Sequence, residues 1–183
     1  MVRSDARDNR ARILATAREA FAEDGSTSMN QVAQRANVGA GTLYRNFPTR
    51  EALVLAVYQE ELARIIGTGP TLLARLPPLD ALRQWTTGLV DAMRRKHGLG
   101  DALSPSAHQA INEQTYEPVV AAINGLLEAG KRDGSIRPDA DPADFLQLTG
   151  ALWRTPDVDG RPQRMLDLIL DGLRTPQDAS FLR

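Results

Sequence analysis

The sequence predicts an all-α fold of about nine helices, with an N-terminal three-helix module and a larger C-terminal helical bundle. Three observations carry that expectation. Apolar residues recur at three- and four-residue spacing along most of the 183 residues, and no run alternates with period two for long enough to make a strand. Ala, Leu and Arg are plentiful, which favours helix, whereas aromatic residues make up 5%. Two short helical segments meet at Asn37-Val38, the arrangement of a helix-turn-helix, just ahead of a long apolar helix.

The first helix should run from about Ser4 to Asp24. Ile13, Leu14, Ala17 and Phe21 form its buried stripe, and Gly25 ends it. Arg3, Arg7 and Arg10 lie near its start, either within reach of phosphates or on a solvated face. Ser28 is an N-cap with Gln31 three residues on, the capping-box spacing. Val32, Ala33 and Ala36 then offer small apolar groups for a close crossing. Asn37 tolerates the left-handed conformation that reverses the chain, and Val38 plugs the gap. The second half of the motif spans about 39–46. Leu43 and Phe47, four apart, share its buried face and leave Thr42, Tyr44, Arg45 and Asn46 pointing elsewhere. A helix this short is not stable alone. Its outer hydroxyl, phenol, guanidinium and carboxamide suit phosphates and base edges.

Thr49 caps a fourth helix that is apolar nearly all round (Leu53, Val54, Leu55, Val57, Leu62, Ile65, Ile66) and so is expected to be covered on several sides. Gly67-Thr68-Gly69-Pro70 reads as a break and a domain boundary. Beyond it, Leu82, Trp85, Leu89 and Met93 mark a helix after Pro77-Pro78. Arg94-Arg95-Lys96-His97 would complement that helix's C-terminal dipole, and Gly98-Leu99-Gly100 would break the chain. A short helix near Pro105–Ile111 and a longer one over about Tyr116–Arg132 follow, the second with Val119, Val120, Ile123, Leu126 and Leu127 inward. The last two are expected at about Pro142–Trp153 and Arg161–Leu173. Phe145, Leu148 and Leu152 line the first; the second, with Met165, Leu166, Leu168, Ile169, Leu170 and Leu173, offers more apolar surface than one core face needs, so one side is assigned to a second subunit, with Phe145, Leu148, Leu152, Leu166, Ile169, Leu170 and Leu173 as the interface. The tail after Thr175-Pro176 is expected to be loosely held.

The net charge of −1 conceals an asymmetry. Residues 1–50 hold eight arginines against five acids, a balance of +3, while the remainder carries −4. The positive end points to a polyanionic partner. Cysteine is absent, which excludes disulfides, thiolate metal sites and a cysteine nucleophile and suits a reducing cytoplasm, the expected location. No apolar stretch approaches a membrane span, and the polar Met1-Val2-Arg3-Ser4-Asp5 start lacks a signal-peptide apolar region.

Gly41-Thr42-Leu43-Tyr44-Arg45-Asn46-Phe47-Pro48-Thr49-Arg50-Glu51-Ala52-Leu53 resembles the sequence pattern of the TetR family of bacterial transcriptional regulators. Arg12–Ala17 and Ala20–Gly25 resemble that family's first helix, so the likeness covers about residues 8–58. Gly39 stands where the family usually has Ser or Thr, Ala40 where Lys or Arg is frequent, and Asn37 where Gly is frequent. The resemblance implies a helix-turn-helix DNA-binding domain over 1–50, a connecting helix over 51–67 and a ligand-binding and dimerisation domain over 68–183. It implies a homodimeric repressor on double-stranded palindromic operator DNA, released by a small-molecule effector; the candidate lining residues suggest an apolar or amphipathic one. Ser28, Thr42, Tyr44, Arg45 and Arg50 would touch DNA, with backbone amides near Gly39 and Gly41 approaching phosphates. Trp85, Leu89, Met93, Tyr116, Ile123 and Trp153 would line the effector site, although Trp and Met at helical spacing equally make plain core.

Two other function classes were weighed. A TetR-like module that binds a partner without reading DNA would fit the missing cation at Ala40. An enzyme fits poorly: His97 and His108 lack ligand spacing around them, no Gly-rich phosphate loop or nucleophile elbow is present, and Asp139, Asp141 and Asp144 read as helix capping rather than metal binding. No cofactor or metal is expected.

Overall fold

In the computed structural model, which describes residues 2–98 and 104–175 and only the backbone of 2–6, 96–98, 108, 110 and 111, the described residues form nine helices and no strand. These are α1 (Val2–Glu23), α2 (Met29–Arg35), α3 (Ala40–Asn46), α4 (Arg50–Gly67), α5 (Gly69–Leu73), α6 (Pro78–Gly98), α7 (Pro105–Asp133), α8 (Pro142–Thr149) and α9 (Arg161–Leu173). Leu99-Gly100, the tail from Pro176, and the side chains of Arg3, His97 and His108 lie outside the described residues.

The helix number agrees with expectation, but its composition differs. The two helices expected at Pro105–Ile111 and Tyr116–Arg132 are one, α7, which runs through Pro118. Proline removes one intrahelical hydrogen bond, at a cost of about 3 kcal/mol in a helix interior. The buried row Val119, Ile123, Leu126 and Leu127 immediately after it offsets that cost. The ninth helix is instead α5, where the Gly67–Pro70 break was read: the chain turns at Thr68, and Pro70 sits in the first turn of α5. α8 stops at Thr149 rather than Trp153, and Gly150 caps it.

The chain divides into two compact units, Met1–Glu61 with Arg95–Asn112, and Leu62–Arg94 with Glu113–Arg183. This division cuts within α4, α6 and α7 and differs from boundaries at residues 50 and 67. Within the first unit, polar contacts tie the end of α6 and the residue before α7 to α4. The nearly buried Glu61 carboxylate pairs with Arg95. Glu51 accepts from both the Ser104 amide (2.7 Å) and the Ser104 hydroxyl (2.6 Å). Those two bonds hold the Glu51 carboxyl below its ordinary range. Burial, with the Glu61 charge nearby, pushes the Tyr58 phenol up.

In the second unit, Trp85 anchors the core, almost fully buried, with its indole N–H donating to the Ile65 carbonyl at 2.9 Å. The Arg94–His97 run was expected to serve its own helix end. Arg94 instead donates to the carbonyls of Leu152 (3.1 Å) and Thr155 (3.2 Å), in the turns after α8. Arg83 pairs with Asp167 and ties α6 to α9. Asp141 caps α8, accepting from the amides of Ala143 (2.8 Å) and Asp144 (3.0 Å), so this acid serves the helix as the spacing suggested.

Gly130 of α7 is required by packing. A Cβ there would lie 2.4 Å from Ile136 Cδ1. Ile136 is held by its own amide on the Gly130 carbonyl (3.0 Å) and by an isolated bridge to Arg174.

Candidate nucleic-acid interface

The recognition helix depends on its supports. α1 buries Ile13, Leu14, Ala17, Ala20 and Phe21, and α2 lays Met29, Val32 and Ala33 against it. Ser28 caps α2 with the full reciprocal pair: its hydroxyl accepts from the Gln31 amide (3.3 Å), and its amide donates to Gln31 Oε1 (2.8 Å). Asn37 takes φ +51°, the left-handed geometry anticipated for the turn, and Val38 donates to the Ala33 carbonyl at 3.0 Å. These contacts deliver the chain to Gly39, the extended N-cap of α3. Leu43 and Phe47 are almost wholly buried and fix the inner face of α3. At its far end Thr49 caps α4, accepting from the Ala52 amide at 3.1 Å.

The outer face carries most of the predicted contacts. Tyr44 is exposed at 44%, a large ring with no share in the core. Arg45 is exposed, and its Nε donates back to the Gly41 carbonyl at 3.0 Å, which lays the guanidinium along the helix. Thr42 is half-buried, and its carbonyl accepts from Asn46 Nδ2 at 2.9 Å. A Cβ at Gly39 would meet nothing within 4 Å, and at Gly41 only an Arg45 nitrogen at 3.9 Å. Neither glycine is needed to fold the helix. Both leave the surface low where a backbone of phosphates would approach. Ser28 is exposed at the start of α2, with its hydroxyl already accepting the capping bond.

Arg50 is placed differently. Its Nε donates to the Thr27 carbonyl (3.4 Å), its terminal nitrogen to the Gly25 carbonyl, and its guanidinium lies 5.0 Å from the centre of the Phe21 ring. Arg10, on α1, stacks 4.4 Å from the Phe47 ring and donates to the Asn46 carbonyl at 3.4 Å. Of the head's other arginines, Arg35 pairs with Glu23 at 2.7 Å. Nothing in local spacing distinguishes these arginines from ones that face a ligand.

The two other predicted sites lie in the second unit. Of the six effector-site residues, Trp85, Leu89 and Ile123 are closed core, Met93 and Trp153 are half-buried, and Tyr116 is 48% exposed. None of them lines the open depression of about 500 Å³ beside α8 and α9. Its lining is apolar in Ala140, Phe145, Leu148, Leu168, Ile169 and Leu173, and charged in Arg137, Asp139, Asp141 and Asp144. Of the residues assigned to a subunit interface, Phe145, Leu152, Leu166, Leu170 and Leu173 are buried in their own chain. Leu148 is 58% exposed and Ile169 half-buried. Leu168, absent from the expected set, is 74% exposed. Its signal was available: Leu166, Leu170 and Leu173 share one helical stripe, and Leu168 falls on the opposite side.

Residues 13–57 match the model of the tetR family of bacterial regulatory proteins. Residues 77–175 match the C-terminal domain of SbtR-like transcriptional regulators. The chain is similar to the HTH-type transcriptional repressor KstR2 of Rhodococcus jostii (strain RHA1), 28% identical over 92% of this chain and 93% of that protein. Among solved structures it is similar to the TetR transcriptional regulator SCO0520 from Streptomyces coelicolor, with 39% identity, a TM-score of 0.76 and coverage of 90% of this chain and 98% of that one. The TetR transcription regulatory protein from Mycobacterium vanbaalenii is 35% identical, with a TM-score of 0.70 and coverage of 96% of this chain and 100% of that one. A capped helix-turn-helix whose outer face carries Tyr44 and Arg45, followed by residues 77–175 that match a regulator's C-terminal domain over more than half of the chain, places this protein in the TetR family of DNA-binding bacterial transcriptional regulators.

Proposed function

We propose that this regulator is a cytoplasmic repressor, without catalytic activity of its own, that binds a palindromic operator as a homodimer and is released by a small apolar or amphipathic effector. The single observation that carries the reading is the outer face of α3. It presents Thr42, Tyr44 and Arg45 beside two glycines with open space above them, while Leu43 and Phe47 hold the inner face rigidly. In this reading Tyr44 and Thr42 contact phosphates, and Arg45 swings from the Gly41 carbonyl to a base edge or phosphate. Ser28 adds a hydroxyl at the start of α2, and the amides near Gly39 and Gly41 meet the backbone. Residues 1–50 read DNA, 51–67 connect, and the remainder dimerises and binds effector.

One copy of α3 offers few contacts, so affinity rests on two. A twofold pairing, for which the exposed side of α8 and α9 (Leu148, Leu168 and Ile169) is the candidate face, would bring one recognition helix to each half of a palindromic operator. An effector at the Trp85, Leu89, Met93, Tyr116, Ile123 and Trp153 site must open the part of it that Trp85, Leu89 and Ile123 close. It therefore acts only through a stronger affinity for the opened form. Among the described residues no helix is long and apolar enough to cross a membrane.

A gel shift against the duplex upstream of its own gene tests the reading. Tyr44→Ala should abolish the shifted band while circular dichroism stays helical. Retained affinity in that variant removes Tyr44 from the interface. Absence of any shift by the wild-type protein, on this duplex and on random ones, would favour a module that binds partners without reading DNA.

A further inference from the structure

The geometry points to Arg10 and Arg50 as a pair of positioning residues that set the pitch of the recognition helix without touching DNA, an inference that rests on α3 being the reading element. α3 has seven residues and ends on the buried Phe47 ring. Its last carbonyls have no intrahelical partners, and the negative end of its dipole is there. Arg10 answers both needs from α1. Its guanidinium covers the Phe47 ring at 4.4 Å, and it donates to the Asn46 carbonyl.

Three residues after Phe47 the chain is pinned again. Arg50 opens α4 and reaches back over the Phe21 ring to the carbonyls of Gly25 and Thr27, in the turn between α1 and α2. Each site thus combines one arginine plane, one aromatic face from a different element and backbone carbonyls. The exit of α3 is fastened on one side to α1 and on the other to the turn that launches α2. A phosphate contact by Arg50 would compete with the bonds its guanidinium makes to the Gly25 and Thr27 carbonyls. The planar fork matters as well as the charge, because an ammonium neither stacks as a plane nor donates in two directions at fixed angles.

This separates two effects of substitution. A phosphate contact depends on charge, survives largely in Lys and contributes about one unit to the salt slope. A positioning contact depends on the plane and leaves the slope alone. The test uses a duplex enriched from a random pool by the wild-type protein, and a random-sequence duplex as reference. Arg50→Lys, Arg50→Gln and Arg10→Lys should each weaken the enriched duplex about tenfold, with the reference affinity and its salt slope unchanged. Phe21→Leu, which leaves the arginine intact, should do the same and covers the case in which an Arg50 variant folds poorly. Amide exchange over residues 40–46, measured without DNA, should quicken in all four.

If Arg50→Lys binds like wild type while Arg50→Gln loses both affinity and slope, Arg50 is a phosphate clamp and the inference falls. Unchanged amide exchange in α3 overturns it as well. Failure of the wild-type protein to bind any duplex would refute the DNA reading alone, because the exchange measurement still decides the positioning role.

Discussion

Replacing Leu168 with Asp should dissociate the homodimer while leaving the single chain folded. The residue is 74% exposed on α9, and Leu148 is 58% exposed on the neighbouring α8. Full burial of a leucine side chain is worth about 2–3 kcal/mol. Scaled by those exposures, Leu168 would contribute about 2 kcal/mol per chain and Leu148 about 1.5 kcal/mol. A twofold interface counts each twice, so the four leucines supply about 7 kcal/mol. Leu168→Asp removes more than half of that and leaves two carboxylates to be desolvated. The dimer dissociation constant should rise by at least about three orders of magnitude. Sedimentation velocity across a concentration series reads this directly. The thermal midpoint under monomeric conditions serves as control and should barely move, since an exposed substitution costs within about 0.5 kcal/mol. A Leu168→Asp chain that stays dimeric with an unchanged constant would refute the assignment of this face. The interface would then have to lie elsewhere.

Ser28→Ala should cost about 1 kcal/mol of stability in a urea melt through loss of the cap on α2; if Ser28 acted only on phosphate, the melt would not shift. Gly130→Ala should lower the thermal midpoint by several degrees, since the about 1 kcal/mol of helix propensity gained is outweighed by about 1–3 kcal/mol of overpacking against Ile136; a rise in the midpoint would mean that Ile136 yields freely. The Glu51 carboxyl, held low by the Ser104 hydroxyl and amide, gives stability that is fully present above the ordinary glutamate value of 4.5 and is lost as pH falls through its lower folded value. The stability difference between wild type and Ser104→Ala should therefore be constant near neutrality and shrink in acid; a difference that grows on acidification contradicts this sign.

Legibility tracked how local the physics is. The capping box at Ser28, the left-handed Asn37, the Thr49 cap and the inward pair Leu43 and Phe47 are set by residues within four positions of each other, and all were readable. The continuity of α7 was not, because Pro118 is a local stop signal overridden by the long-range burial of Val119 to Leu127. On α9 periodicity separated two apolar stripes but did not say which one the chain itself covers. Five residues assigned to a partner fill their own core, whereas Leu168, counted in the same apolar surface but not assigned to the partner, is exposed. The arginines were the least legible. Their side chains reach partners between about 34 and 61 residues away, as Arg10 to Asn46, Arg94 to Thr155 and Arg95 to Glu61 do, and composition reports only their charge. The chemistry of the proposed effector is equally hidden, since Trp85, Leu89 and Ile123 are buried as ordinary core.

Selection of bound duplexes from a random pool by the purified protein tests the central claim most directly. The account predicts enrichment of an inverted repeat whose half-sites lie about one helical turn apart, bound with a steep salt dependence and lost in Tyr44→Ala. A pool that stays random, or one whose enriched sequences bind Tyr44→Ala as tightly as wild type, would contradict it.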